Sequence, residues 1–144
     1  MNTRSQIESF EGRRNVAYPD PISKDGHPYT IGVGHCGPEV HQGLVWTDAQ
    51  IDAALDADIA KARAGCEAAL PWFGDLNEPR QAALIGMAFQ MGVAGLLQFK
   101  MTLNSMRDSQ WYTAEAHMLN SAWAKQTPER ARRLARQVAT GEWQ

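Results

Sequence analysis

The chain has 144 residues, 44% hydrophobic and 21% charged, with a net charge of −2. That is an ordinary composition for one soluble globular domain, and its faintly acidic balance excludes attachment to nucleic acid by bulk charge. Cys36 and Cys66 are too few for a disulfide scaffold, match no metal-ligand spacing, and read as two thiols.

The opening MNTRSQIESFEG lacks the apolar core of a signal peptide. Ile7 and Phe10, with Thr3 or Ser5 as cap, predict a short helix ending at Gly12, with Glu11 in its last turn. From Val16 to His35 the pattern changes to short β-prone pieces, VAYPD and PYTIGVGH, around a polar turn, PISKDGH. This predicts a small antiparallel sheet with a hairpin, one strand of which ends at His35. CGPEVHQGLVW reads as a loop. Thr47 and Gln50 then form a capping box for a helix whose apolar stripe is Ile51, Leu55, Ile59, Ala62, Cys66 and Leu70.

Pro79 is expected at the first position of the next helix, where AALIGMAFQM is apolar on nearly every side and so buried. Together with GVAGLL it forms the longest apolar run, yet Gln90 and three glycines interrupt it, and it falls short of the roughly 20 residues of a membrane span. Phe99, Leu103 and Met106 form a further stripe, and Tyr112, Ala116 and Leu119 another. The last helix opens with Thr127 as cap and Pro128 at its first position, with Ala131, Leu134, Ala135 and Val138 inward. The expected architecture is α+β in one domain, residues 1–144. A small lobe covers about residues 12–46, a connecting helix 47–70 and a helical lobe 71–144, with the N-terminal helix 3–11 packed on the last and a cleft between the lobes.

Most acids lie on exposed helix faces, and Asp48, Asp52, Asp56 and Asp75 read as solvated. Glu11 and Asp20 differ in lying where a helix or strand turns. Glycoside hydrolysis needs one carboxyl to donate a proton and one carboxylate to activate water. On spacing alone, two solvated acids explain the pair at least as well. Thr30 alone is a plain strand residue. Gly32 and Gly34 let the backbone approach a ligand, and Gln90, near the end of a buried helix, needs a polar partner. Arg132, Arg133 and Arg136, with Lys125, make a solvated basic face with some pull toward anionic polymers and no nucleic-acid motif.

FEG, AYPD, TIGVGH, ALIGMAFQMG, W-x-KQTPERARR and TGEW, in this order over nearly the whole chain, resemble the phage-type lysozymes, the T-even phage muramidase family. The resemblance implies a lysozyme-like α+β fold and an endolysin that cuts the bond between N-acetylmuramic acid and N-acetylglucosamine in peptidoglycan. A lytic transglycosylase or a non-catalytic wall-binding virion protein is the alternative. It implies Glu11 as general acid, with Asp20 and Thr30 holding the water on the far face of the sugar. Arg130 would pair with Glu11, so that substrate must disturb this pair, and His35 with Asp58 as a structural ion pair. Gly34, Gln90, Trp123 and Arg130 become substrate-contact candidates.

No metal and no cofactor is implied. The partners are peptidoglycan glycan strands, with no nucleic acid and no stable membrane insertion. The chain would act as a monomer that waits in the host cytoplasm until a holin-type pore admits it to the wall. Two departures stand out. The loop between Asp20 and Thr30 is longer than the family's commonest spacing and brings in Asp25 as a rival second carboxylate. The segment CGPEVHQGLVW should trim the small lobe.

Overall fold

Helix α1, Thr3–Glu11, opens on a capping box built by Asn2. Ser5 N donates to Asn2 Oδ1 at 2.8 Å and Asn2 N to Ser5 Oγ at 3.0 Å. Neither Thr3 nor Ser5 is therefore the cap. Ser5 is the reciprocal partner three residues in, because Asn2 offers a carbonyl of the right reach to a first-turn N–H. Gly12, at φ +72, ends the helix and leaves Glu11 as its last residue. The computed structural model describes residues 1–21 and 25–144. Residues 22–24 of the loop PISKDGH lie outside the described residues.

Strands β1 (Arg14–Pro19), β2 (Tyr29–Gly32) and β3 (His35–Cys36) form one antiparallel sheet in that order. The strand expected to run into His35 instead breaks at Val33–Gly34 and returns as β3. Gly32 and Gly34, at φ +66 and +64, adopt the left-handed conformation such a tight turn requires. The register sets Tyr18 opposite Thr30 and Thr30 opposite Cys36, one row across the sheet. The segment after Cys36 has no helix, and its end lies along β1 through Ala17 N to Leu44 O at 2.9 Å and Trp46 N to Asn15 O at 2.8 Å.

Helix α2, Asp48–Ala69, carries the expected capping box of Thr47 and Gln50. Ile51, Leu55, Ala62, Cys66 and Leu70 are buried and Ile59 partly so. At about 1.5 Å per residue it spans roughly 33 Å. Asp48, Asp52 and Asp56 are engaged rather than merely solvated. Arg4 donates to Asp52 and Asp56 at 3.0 and 2.9 Å, and Arg13 to Asp52 at 2.9 Å and, at 3.5 Å, pairs with Asp48, tying α1 and the start of the sheet to α2.

Helix α3, Glu78–Leu96, is capped by Asn77, which puts Pro79 at its second position. Its residues Ala82–Phe89 are buried and form the centre of the core. A Cβ on Gly65 of α2 would come within 2.2 Å of Val93 Cγ2, so these helices meet where no side chain intervenes. Gly92, at φ 78 and ψ 160, breaks the helical path two residues after Gln90.

Helices α4 (Lys100–Arg107), α5 (Trp111–Leu119), α6 (Ala122–Gln126) and α7 (Pro128–Thr140) complete the fold. On α5 the expected face is reversed: Tyr112, Ala116 and Leu119 are exposed, whereas Ala114 and Met118 are buried. The helix is apolar on several sides, and its core side is chosen by packing on α4 and α7. Arg80 stacks 3.7 Å from the Trp111 ring and donates to Val138 O and Ala139 O at the end of α7. Ala131, Leu134, Ala135 and Val138 face inward as expected. Thr127 stands at the cap position of α7, but its hydroxyl donates to Trp123 O at 3.1 Å instead of capping.

Buried Gln6 and Gln137 exchange amide hydrogen bonds at 2.6 and 3.2 Å, fastening α1 to α7. On the basic face Arg132 pairs with Glu129 and Arg136 with Glu115, so much of its charge is offset locally. Cys36 and Cys66 form no disulfide, and burial pushes the Cys66 thiol up to about 11. Among the described residues no single helix is long and apolar enough to cross a membrane.

Candidate active site

The end of α1, the sheet and the start of α7 converge on a hollow of about 280 Å³. Glu11, Tyr18, Asp20, Thr30, Gly34, Cys36, Gln90, Thr127 and Arg130 line it. Each arrives for a local reason. Gly12 stops α1 immediately after Glu11. Asp20 follows β1 and is held to the other side of the hairpin by its N–H donating to Pro28 O at 2.7 Å. Thr30 is 2% exposed in the central strand and donates its hydroxyl to Asp20 Oδ2 at 3.1 Å.

Arg130 Nη1 donates to Glu11 Oε1 at 2.8 Å and Nη2 to Gly86 O at 3.3 Å. Arg130 is 9% exposed and the Glu11 side chain 21%, so this pair is poorly screened by water. Gly34 is present for room as much as for its turn. A Cβ there would sit 2.7 Å from Glu11 Oε2.

Tyr18, Cys36 and Thr127 belong to the hollow and were not among the expected site residues. The available signal was the strand itself: Tyr18 lies two residues before Asp20 and so shares its face. Burial, then the charges of Asp20 and Glu11, push the Tyr18 phenol above its ordinary range, which keeps it a neutral hydrogen-bonding wall.

Gln90 lines the hollow, whereas Trp123 does not. Trp123 is 7% exposed, packs edge-on to Phe99 at 5.8 Å, and donates its indole N–H to Gln90 Oε1 at 2.8 Å. It thus bears on the hollow through Gln90 and through Thr127, whose hydroxyl donates to its carbonyl. Asp25 accepts from His27 N at 2.9 Å and lines a neighbouring hollow with Cys36, Asp58 and Lys61, apart from Glu11. Among the described residues no three His, Cys, Asp or Glu side chains gather as metal ligands.

His35 and Asp58 meet as expected, Nδ1 to Oδ2 at 2.6 Å, but Glu39 also takes Nε2 at 2.6 Å. The Asp58 hydrogen bond, against the opposing effect of burial and with help from Glu39, raises His35 above its ordinary range. His35 in turn holds Glu39 low. A raised His contributes stability that is complete below its unfolded value of about 6.5 and fades as pH climbs through the folded value. A lowered Glu contributes above its unfolded value of about 4.5 and fades as pH falls through the folded one. The clamp is therefore complete between about pH 4.5 and 6.5. We expect Asp58→Asn to cost about 2 kcal/mol in urea unfolding near pH 5.5, and less at progressively higher pH. A cost independent of pH would show that the clamp is not ionic.

The phage lysozyme family model matches residues 8–139. A peptidoglycan hydrolase, gp36, of Pseudomonas phage phiKMV is 32% identical over 149 residues, covering 96% of this chain and 15% of that protein. A probable T4-type lysozyme of Dictyostelium discoideum is 30% identical, covering 96% of this chain and 94% of its own length. An endolysin of Lactococcus phage c2 is 38% identical over 93 residues, 64% of this chain and 38% of that protein. The chain therefore spans under a sixth of the first of these relatives and nearly all of the second. Matched by the family model from the end of α1 into the last turn of α7, and with a lysozyme-like α+β fold, this chain belongs to the phage lysozyme family, glycoside hydrolases that act on peptidoglycan.

Proposed function

We propose that this chain hydrolyses the β-1,4 bond between N-acetylmuramic acid and N-acetylglucosamine, with Glu11 as general acid and Asp20 and Thr30 holding the attacking water. One observation carries it: a single hollow brings Glu11, Asp20 and Thr30 together, with Thr30 bonded to Asp20. Asp25, lining a different hollow, is the weaker second carboxylate.

The hydrogen-bond directions supply the mechanism. Thr30 spends its hydrogen on Asp20, so its oxygen lone pairs accept from a water. Asp20, acceptor-only when ionised, takes that water's other hydrogen. Both hydrogens are then directed away from the sugar, and the water's lone pair is left to attack the anomeric carbon. Glu11, on the other side of the bond, gives its proton to the leaving oxygen. Inversion asks for carboxyls about 6.5–9.5 Å apart with water between them. Arg130 Nη1 donates to Glu11 Oε1 at 2.8 Å and occupies that oxygen, so the incoming sugar has to part the two before Glu11 can serve the leaving oxygen. Gln90, its carbonyl taken by Trp123, offers its amide N–H groups to substrate.

The chain works as two lobes, the sheet on one side and α3–α7 with α1 on the other, joined along α2. It acts as a monomer, reaching the wall from the host cytoplasm through a holin-type pore. Support for this cellular role is the endolysin name of its relatives. The experiment is product analysis on purified glycan strands. New reducing ends released first as the inverted anomer are expected. Anhydro ends would mean that no water is held at Asp20 and Thr30 and would make the chain a lytic transglycosylase.

A further inference from the structure

Thr30 is the middle of a row of three across the sheet. Tyr18 of β1 stands opposite it on one side and Cys36 of β3 on the other. All three line the hollow, so they share the face turned toward Glu11. Neighbouring strands lie about 4.8 Å apart, so the space above Thr30 is two such spacings wide, less the bodies of the two flanking side chains.

Both flanks are fixed. The Arg14 guanidinium carbon lies 4.8 Å from the centroid of the Tyr18 ring, a stacking that holds the ring in place. Between Arg14 and Tyr18 the register with β2 shifts, and the backbone before Tyr18 is held instead by Ala17 N donating to Leu44 O at 2.9 Å. Such a bulge re-aims the side chain that follows it. Burial above all keeps the Tyr18 phenol protonated, so it is a wall and not a rival nucleophile. On the other flank the Cys36 thiol donates to the Asp25 carboxylate. Cys36 lines both the hollow around Glu11 and the one around Asp25, and so stands where the two adjoin.

A water held as proposed above gives one hydrogen to Thr30 and the other to Asp20. An alcohol has a single hydroxyl hydrogen. Asp20 has to take it, because the attacking oxygen must lose a proton as it bonds to the anomeric carbon. The alcohol's carbon then points where the water's other hydrogen lay, at Thr30 and between Tyr18 and Cys36. Thr30 is 2% exposed, which leaves little room there.

Resting on the hydrolysis proposed above, we infer that Tyr18 and Cys36 select the nucleophile: they confine the place beside Thr30 to a water and exclude hydroxyl groups that carry carbon. In a cell wall the excluded groups are sugar hydroxyls of neighbouring glycan, whose attack would join strands instead of cutting them.

The test uses methanol, the smallest alcohol, as the probe. The whole chain cleaves purified glycan strands in water–methanol mixtures, and mass spectrometry compares new reducing ends with new methyl glycosides. In methanolysis the methanol oxygen bonds to the anomeric carbon and its proton passes to Asp20. The glycosidic bond breaks, and the proton of Glu11 goes to the leaving oxygen. The unaltered chain is expected to favour water by about 10–200-fold over the composition of the mixture, the usual discrimination against one extra carbon in a closed pocket. Tyr18→Ala is expected to shift the products toward methyl glycoside by at least about tenfold. Cys36→Ala, which removes less, should shift them less. Tyr18→Phe keeps the ring and should keep the original ratio. Only active molecules contribute to this ratio, so a loss of folded protein does not move it. Methyl glycosides from the unaltered chain in proportion to the methanol present overturn the inference, whether or not the variants fold. So does a Tyr18→Ala protein that keeps the original ratio, with Tyr18→Leu read by the same rule if Tyr18→Ala does not fold. Anhydro ends, or no cleavage by the unaltered chain, would overturn the hydrolase reading itself.

Discussion

Replacing Glu11 by Gln is expected to lower lysis of permeabilised Gram-negative cells by about 10²–10⁴-fold, the usual worth of a positioned acid. The substitution is nearly isosteric. Its amide oxygen still accepts from Arg130 Nη1, now 2.8 Å from Glu11 Oε1, so the side chain keeps its place. It cannot release a proton to the leaving oxygen. The change also leaves the buried Arg130 guanidinium with a neutral partner and the carbonyl of Gly86, at a cost of about 1–3 kcal/mol in stability. Thermal unfolding separates this cost from the chemistry. A folded variant that binds wall material but does not lyse supports the assignment; one that lyses at the original rate removes acid catalysis by Glu11.

The second large effect is expected at Gly34, which makes no chemistry of its own. An alanine Cβ there would stand 2.7 Å from Glu11 Oε2 and 3.0 Å from its Cδ, on a backbone at φ +64. The left-handed conformation costs a non-glycine residue about 1–2 kcal/mol. The clash pushes the carboxyl off its position, and displacements near 1 Å can cost about 10²-fold in rate. Gly43 makes the control. It has φ +87 but open space where its Cβ would be, so Gly43→Ala carries the backbone strain without touching Glu11. Loss of activity in Gly34→Ala, with activity retained in Gly43→Ala at similar stability, isolates the steric effect. Equal activity in the two variants would mean that Gly34 serves only its turn.

The features legible in the sequence are those set by local chemistry. The Thr47–Gln50 capping box, the stripe of α2 and the all-round apolar stretch of α3 depend on side chains a turn apart, and each formed where expected. The motifs FEG and AYPD placed Glu11 and Asp20 where a helix and a strand end, TIGVGH placed Thr30 within a strand, and the fold brings all three to one hollow.

Tertiary contact decided the rest. Which side of α5 is buried could not be read, because an apolar residue every third or fourth position fits more than one face; only the packing of α4 and α7 chose Ala114 and Met118 over Tyr112 and Leu119. Glu39 joined His35 through a loop that follows no periodicity. Trp123 was turned into a support for Gln90 by a hydrogen bond spanning 33 residues of chain. Phe10 met Arg130 and Arg133 because the end of α1 lies beside the start of α7, a juxtaposition that no spacing within either helix encodes. Local pattern specifies hydrogen bonds and faces within one element. It leaves open which faces meet, because that depends on the burial and charge pairing of the whole assembly.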